Sequence, residues 1–116
     1  MNIQSMIHFY GTLNLDRTHQ FYVDVLGLTL HKDQGLCHIY ALNQSTMIGF
    51  CTHIAVAKEK RSPIITLVVD DVLVWHQHIT SCGYKPDAVS INEKFRIEHF
   101  FLEDPNGYTV EIQRFL

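Results

Sequence analysis

Apolar and polar residues alternate one by one through several short stretches of the chain, most clearly near its end. There the apolar positions are Tyr108, Val110 and Ile112, and the polar positions are Thr109, Glu111 and Gln113. Successive side chains of a strand point to opposite faces, so this alternation predicts a strand with one apolar and one polar face. We expect its sheet to be packed on one side and open on the other.

Two longer stretches carry apolar residues at the three- and four-residue spacing of a helix. The first follows Asn14, a favourable N-cap, and ends at Gly27. Its stripe contains Leu15, His19, Tyr22, Val23 and Leu26. The second follows Asp71, ends at Gly83 and has a stripe of Val72, Trp75, His76, Ile79 and Cys82. The two patterns lie about half a chain length apart, which indicates an internal repeat.

Each predicted helix lies between strand-like segments in the same order. Strands are predicted over residues 6–13, 28–32, 36–42 and 46–53, and again over 64–69, about 88–91, 96–102 and 108–115. The sequence therefore predicts one α+β domain of 116 residues in which a βαβββ module occurs twice, as a pseudo-twofold repeat. The modules span about 1–53 and 63–116, and the charged segment of about 54–62 is the linker.

The composition narrows the classes of function. The formal net charge is −3 and the pI is about 6.2, so no basic surface for nucleic acid is predicted. No apolar run is long enough to cross a membrane. The first residues lack the features of a signal peptide, so we expect a cytoplasmic protein. In that compartment the widely spaced Cys37, Cys51 and Cys82 are expected to be buried free thiols.

Specific motifs accompany the repeat. They are Asn14-Leu15-Asp16-Arg17-Thr18, Phe21-Tyr22-Val23-Asp24-Val25-Leu26-Gly27-Leu28, Val69-Asp70-Asp71-Val72, and Asp104-Pro105-Asn106-Gly107 with Glu111. In this order they resemble the glyoxalase/bleomycin-resistance/dioxygenase family, also called the vicinal oxygen chelate superfamily. The resemblance implies curved mixed sheets around a cavity, with the helices on the convex side. It also implies a homodimer, the common state of short single-chain members.

Many members of this family hold a divalent metal between the first strand of each module and a glutamate of the last strand. Glu111 stands where that carboxylate ligand falls. If the turn after the first strand is one residue shorter than in the family, His8 takes the second ligand place. His8, Tyr10 and Thr12 then face the cavity, and the polarity of the two faces favours this alignment. Without the shorter turn, Ile7 takes that place and His8 faces away.

The remaining ligand place, in the second module, falls on Ile64, which cannot coordinate a metal. His99 is the other candidate ligand. It is two residues before Phe101 on the same strand, so the two side chains share a face, and Phe101 stands where family members carry an active-site tyrosine. We therefore predict a cavity lined by His8, Tyr10, His99, Phe101, Thr109, Glu111 and Gln113. The candidate metal ligands are His8, Glu111 and His99, and Glu111 is the candidate catalytic residue. His19, His31 and His38 have no partner at metal spacing, and His76 and His78 are expected at the surface of their helix.

Two functions are compatible with these residues. The first is a protein that binds a small amphipathic or aromatic molecule without the complete metal triad, similar to the bleomycin-resistance branch. The second is a metal-dependent lyase or dioxygenase acting on vicinal oxygens, with Zn, Ni, Fe or Mn held by His8, Glu111 and His99. Ile64 and Phe101 favour the binding protein. In either case the expected partner is a small molecule.

Overall fold

The chain divides into two units of similar build, Met1–Ala57 and Lys58–Leu116, and their boundary lies within the predicted linker. The structure is a computed structural model that describes all residues from 1 to 116. Each unit contains one helical segment after its first strand and one four-stranded mixed sheet. The predicted α+β class and the repeated βαβββ order are therefore confirmed.

The first unit begins with strand β1, Met6–Gly11. Its helical segment consists of a short α-helix α1, Leu15–His19, and a π-helical continuation, Gln20–Val25. The following strands are β2 (Thr29–Asp33), β3 (Cys37–Ala41) and β4 (Thr46–Cys51). The sheet order is β1-β4-β3-β2, in which β1 and β4 are parallel and the other neighbours antiparallel.

The second unit repeats this arrangement. Its elements are β5 (Ile64–Val68), α2 (Val72–Ser81), β6 (Ser90–Asn92), β7 (Ile97–Glu103) and β8 (Thr109–Phe115). The sheet order is β5-β8-β7-β6, again with the first and last strands of the unit parallel. Neither unit contains a helix with the length and apolar character needed to span a membrane.

The helices begin and end where local sequence signals place them. The Asn14 side chain accepts a hydrogen bond from the Arg17 backbone N–H at 3.0 Å, and Asp71 accepts one from Val74 at 3.2 Å. These bonds satisfy N–H groups that have no partner within the helix. Gly27 and Gly83 follow the helices with φ of 79° and 93°, a left-handed conformation that glycine adopts at little cost.

Aromatic side chains fill the core of the first unit. The rings of Tyr22, in the π-helical segment, and Phe50, on β4, lie 4.6 Å apart. Tyr40 on β3 contacts both rings, and Phe21, Tyr22, Tyr40 and Phe50 are all almost completely buried. The Phe50 face of this sheet is therefore the face that packs on the helical segment.

Aliphatic side chains, together with Phe100 and Tyr108, fill the core of the second unit, where α2 packs against β7 and β8. Val72 and Ile79 of α2 are fully buried, as are Val110 and Ile112 of β8. The alternation predicted for β8 is thus confirmed, with Val110 and Ile112 in the core. Cys82 was expected in the buried helical stripe, but this prediction is wrong: the residue lies beyond the last turn of α2 and is exposed.

Cys37 and Cys51 were also expected to be free thiols, and this prediction is wrong as well. Cys37 at the start of β3 and Cys51 at the end of β4 are direct cross-strand partners, and the structure joins them in a disulfide. Residues opposite each other in an antiparallel pair have neighbouring Cβ atoms. The register of β3 on β4 therefore brings together two cysteines that are 14 residues apart.

The Asp104 carboxylate organises the turn before β8. Its Oδ1 accepts hydrogen bonds from the backbone N–H groups of Asn106 and Tyr108, both at 2.8 Å. Gly107 completes the turn with φ of 84° and donates its N–H to the Asp104 carbonyl at 3.0 Å. Asp104 is itself buried, so these bonds replace the water that the carboxylate would otherwise bind.

We expect Asp104→Ala to lower the free energy of unfolding by about 1–3 kcal/mol, because it leaves two buried backbone N–H groups without their acceptor. Asp104→Asn keeps an oxygen at the Oδ1 position and is expected to lose clearly less. Urea denaturation of both variants measures the difference. Equal losses in the two variants would show that the side-chain oxygen does not stabilise the turn.

Candidate functional site

The face of the second sheet opposite α2 carries most of the predicted site residues. In the strand ladder Glu111 lies between Thr66 on β5 and Phe101 on β7, and His99 lies opposite Gln113. We call this set the polar face, and it consists of Thr66, His99, Phe101, Thr109, Glu111 and Gln113. The side chains point away from the Val110 and Ile112 core because residues on a strand alternate between faces.

A hydrogen-bonded network crosses three strands of the polar face. The Thr66 hydroxyl donates to Glu111 Oε1 at 2.8 Å, and His99 Nδ1 lies 2.6 Å from Glu111 Oε2. Glu111 and His99 expose only 8% and 9% of their surface, so the carboxylate is paired on both oxygens where little water reaches it. A buried charge is tolerated when it is paired and hydrogen-bonded in this way.

The network also determines which ring nitrogen of His99 can accept a hydrogen bond. An ionised carboxylate only accepts, so Nδ1 must carry the hydrogen that bonds to Glu111. In the neutral imidazole Nε2 is then the acceptor. The sequence indicates both residues, but not their pairing, because they lie on different strands and their contact depends on the register of β7 on β8.

An aromatic and cationic region adjoins the network. The guanidinium of Arg61 lies 4.1 Å from the centre of the Phe101 ring, a cation–π distance, and the His99 ring lies 5.1 Å from Phe101 on edge. Phe101 and Thr109 also line a pocket of about 510 Å³. Its lining is completed by Lys60, Arg61, Tyr84, Lys85, Asp87, Leu102 and Glu103.

The chemistry of this pocket suits a small ligand with an apolar ring and a negative charge. Its lining includes three basic side chains and two carboxylates, so positive charge is in slight excess. Tyr84 and Phe101 supply ring surfaces. A volume of about 510 Å³ lies within the usual range of small-molecule pockets.

The orientation expected for His8, Tyr10 and Thr12 is wrong. Tyr10 lies opposite Phe50 in the ladder with ring centres 5.9 Å apart, so the two share the helix-facing side of the sheet. His8 is two residues earlier and shares that side, and Thr12 bonds to the Thr18 hydroxyl at 2.9 Å. The alternative alignment, with Ile7 at the ligand place, agrees with the ladder.

The resemblance places two of the metal ligands at Ile7 and Ile64, whose side chains have no donor atoms. Of the places that the resemblance assigns, Glu111 is the one with a ligand side chain. Both oxygens of Glu111 already accept hydrogen bonds from Thr66 and His99. Metal sites with catalytic activity usually have three protein ligands. A metal at Glu111 would therefore have fewer protein ligands than a catalytic site usually has.

Sequence reasoning missed a polar cluster in the core of the first unit. The Tyr40 hydroxyl lies 2.9 Å from His19 Nδ1 and 3.1 Å from His38 Nδ1. Burial raises the pKa of Tyr40 well above its usual range, and the carboxylate of Asp33 raises it further. The sequence gives no sign of this cluster, because His19 and Tyr40 are 21 residues apart and come together only through the packing of α1 on β3.

Comparison with known proteins identifies similar sequences and structures. The sequence profile of the Glyoxalase/Bleomycin resistance protein/Dioxygenase superfamily matches residues 4–112. Comparison with proteins of curated function gave no match.

Several solved structures have the same fold. An integron cassette protein from the mobile metagenome of Halifax Harbour sewage outfall superposes with a TM-score of 0.79 at 16% identity, covering 95% of this chain and 97% of that one. Lactoylglutathione lyase from Agrobacterium tumefaciens has a TM-score of 0.77 at 19% identity, covering 94% and 91%. A glyoxalase/bleomycin resistance protein/dioxygenase from Nocardioides has a TM-score of 0.78 at 11% identity, covering 100% and 85%. At these identities the likeness concerns the fold alone.

Proposed function

Because the chain belongs to the glyoxalase/bleomycin resistance protein/dioxygenase superfamily, we propose that it is a small-molecule-binding protein that needs no metal at Glu111. The proposed ligand is a small aromatic anion, bound in the pocket next to Phe101. The observation that carries this proposal is the Arg61 guanidinium 4.1 Å from the Phe101 ring, in a pocket also lined by Lys60 and Lys85.

Each group has a separate part in this binding. Phe101 offers a ring surface for stacking, and Arg61 and Lys85 attract a carboxylate. His99 lies on edge against Phe101 with the ring centres 5.1 Å apart, and its hydrogen bond to Glu111 holds it there. The Phe101 ring is thus already oriented before a ligand arrives, which reduces the entropy lost on binding.

The alternative, a metal-dependent lyase or dioxygenase, has Glu111 and His99 in its favour. Against it stand the apolar side chains of Ile7 and Ile64 at the other ligand places. Homodimerisation and a cytoplasmic location stay predictions from the sequence.

Calorimetric titration with 4-hydroxybenzoate tests the proposal, since this probe combines an aromatic ring, a carboxylate and a hydroxyl. We expect Phe101→Ala and Arg61→Ala each to weaken binding about tenfold, corresponding to about 1.4 kcal/mol. Phe95→Ala and Lys94→Ala are matched controls, because Lys94 lies 5.4 Å from the Phe95 ring outside this pocket. These two variants should bind the probe like the wild type.

Two results would overturn the proposal. One is equal weakening by the control pair, which would show that binding is not located at the Phe101 pocket. The other is one tightly bound Ni²⁺, Zn²⁺, Fe²⁺ or Mn²⁺ per oxidised chain that is lost in Glu111→Gln. Such a result would favour the metal-dependent enzyme. The chain is kept oxidised so that Cys37 and Cys51 stay bonded and do not contribute thiolates.

A further inference from the structure

One cluster of metal-ligating side chains in the first unit has no part in the proposed function. Cys37 and Cys51 are cross-strand partners, and His53 follows two residues after β4. His53 Nδ1 lies 3.8 Å from Cys37 Sγ, and the ligand atoms of all three side chains lie within 4.8 Å of one another. We propose that in the reduced chain Cys37, Cys51 and His53 bind one Zn²⁺ ion, and that the disulfide excludes the ion.

Backbone hydrogen bonds hold the two cysteines in place. The Thr52 N–H donates to the Leu36 carbonyl at 2.9 Å, and the Gln34 N–H donates to the Cys37 carbonyl at 2.8 Å. The first bond joins the residues just beyond the cysteine pair, and the second closes the turn before Cys37. Breaking the disulfide therefore leaves the two sulfurs on neighbouring strands, where a single ion can reach both.

The cluster has a buried side and an exposed side. Cys51 follows Phe50 on β4 and therefore points to the opposite face, away from the aromatic core. Cys37 and Cys51 are buried at 7% and 1% exposure, whereas His53 is exposed. The two sulfurs thus lie on the side of the site that excludes water, and the imidazole lies on the side exposed to solvent. There a water molecule can be the fourth ligand of the ion.

The three ligand side chains favour zinc over other divalent ions. Two thiolates and one imidazole are a known zinc combination with an open fourth place, and thiolates disfavour Mg²⁺, Ca²⁺ and Mn²⁺. Binding converts two thiols and Zn²⁺ into a zinc dithiolate and releases two protons. Opening the disulfide takes a two-electron reductant. A dithiol, for example, passes two electrons and two protons to the sulfurs and becomes a disulfide itself. Metal binding at this site is therefore tied to the thiol–disulfide state.

Zinc titration of the full chain, reduced with a phosphine and followed with a competing zinc indicator, tests the proposal. We expect one Zn²⁺ per reduced chain, none after oxidation by glutathione disulfide, and thiolate-to-metal absorption when Co²⁺ replaces zinc. His53→Ala should weaken zinc binding at least tenfold, and Cys51→Ser should abolish it. His53 is exposed, so its replacement should not disturb folding, which circular dichroism verifies. Cys82→Ser, which removes the exposed cysteine, is the matched control and should bind zinc normally.

Three outcomes would contradict the site. They are a reduced wild-type chain that binds no zinc, zinc binding unchanged by His53→Ala, and zinc binding that persists after oxidation. Glu111→Gln should leave zinc binding at the cysteines unchanged. The zinc titration and the titration with 4-hydroxybenzoate thus test the two proposals independently, and either proposal can fail without the other.

Discussion

Glu111→Ala is expected to lower the free energy of unfolding by about 2–4 kcal/mol, because the buried His99 N–H loses its acceptor and the Thr66 hydroxyl loses its partner. Glu111 accepts from Thr66 at 2.8 Å and lies 2.6 Å from His99, and the His99 and Glu111 side chains are each only 11% exposed. Removing the carboxylate leaves a hydroxyl and an imidazole N–H without their acceptor. Urea denaturation, read by far-ultraviolet circular dichroism, measures this loss.

Two variants show whether the buried network is the cause. Glu111→Gln keeps one oxygen for Thr66 and offers an amide to a neutral His99, so its loss should be well below that of the alanine variant. Glu98→Ala removes the partner of Arg114 on the same two strands, at 2.8 Å, where the side chains are 18% and 40% exposed. It should cost at most about 1 kcal/mol. If Glu111→Ala costs no more than Glu98→Ala, the network does not stabilise the second unit.

Phe50→Ala is expected to have a comparable effect in the first unit, with a loss of about 3–5 kcal/mol. The Phe50 side chain is fully buried and its ring lies 4.6 Å from Tyr22 and 5.9 Å from Tyr10. Its removal opens a cavity that these aromatic neighbours cannot close without leaving their own contacts. Urea denaturation again provides the measurement.

The control for this variant is another phenylalanine on a strand. Phe115 ends β8 with 66% of its surface exposed, and Phe115→Ala should change stability by about 0.5 kcal/mol or less. A loss at Phe50 as small as that at Phe115 would mean that the sheet and helical segment of the first unit do not pack through this ring.

The elements of the fold could be predicted because their signals are local. Asn14 and Asp71 cap the helices, and Gly27 and Gly83 follow them, as the sequence predicts. Each signal acts within one turn of helix and needs no knowledge of distant contacts. The alternation in β8 is equally local, so the separation of Glu111 from the core was also predictable.

The errors concern contacts that depend on strand register. A shift of one residue moves every side chain of a strand to the other face, and this is the reason that the sequence pattern places His8 on the wrong side of β1. The Cys37–Cys51 pairing depends on how β3 aligns with β4, and the Tyr40 cluster depends on how α1 meets β3. Composition and spacing carry no information on these alignments. The sequence therefore indicates the residues of the candidate site but not the partners that define their chemistry.

The parallel pairing of each unit's first and last strands determines when its contacts can form during synthesis. Thr66 and Glu111 are 45 residues apart, and β8 must leave the ribosome before β5 gains its neighbour. The first sheet contains only strands β1 to β4, so it can assemble while the second unit is still being made. The cysteine pair is therefore in place early on the nascent chain, whereas the Glu111 network cannot form until β8 has been synthesised.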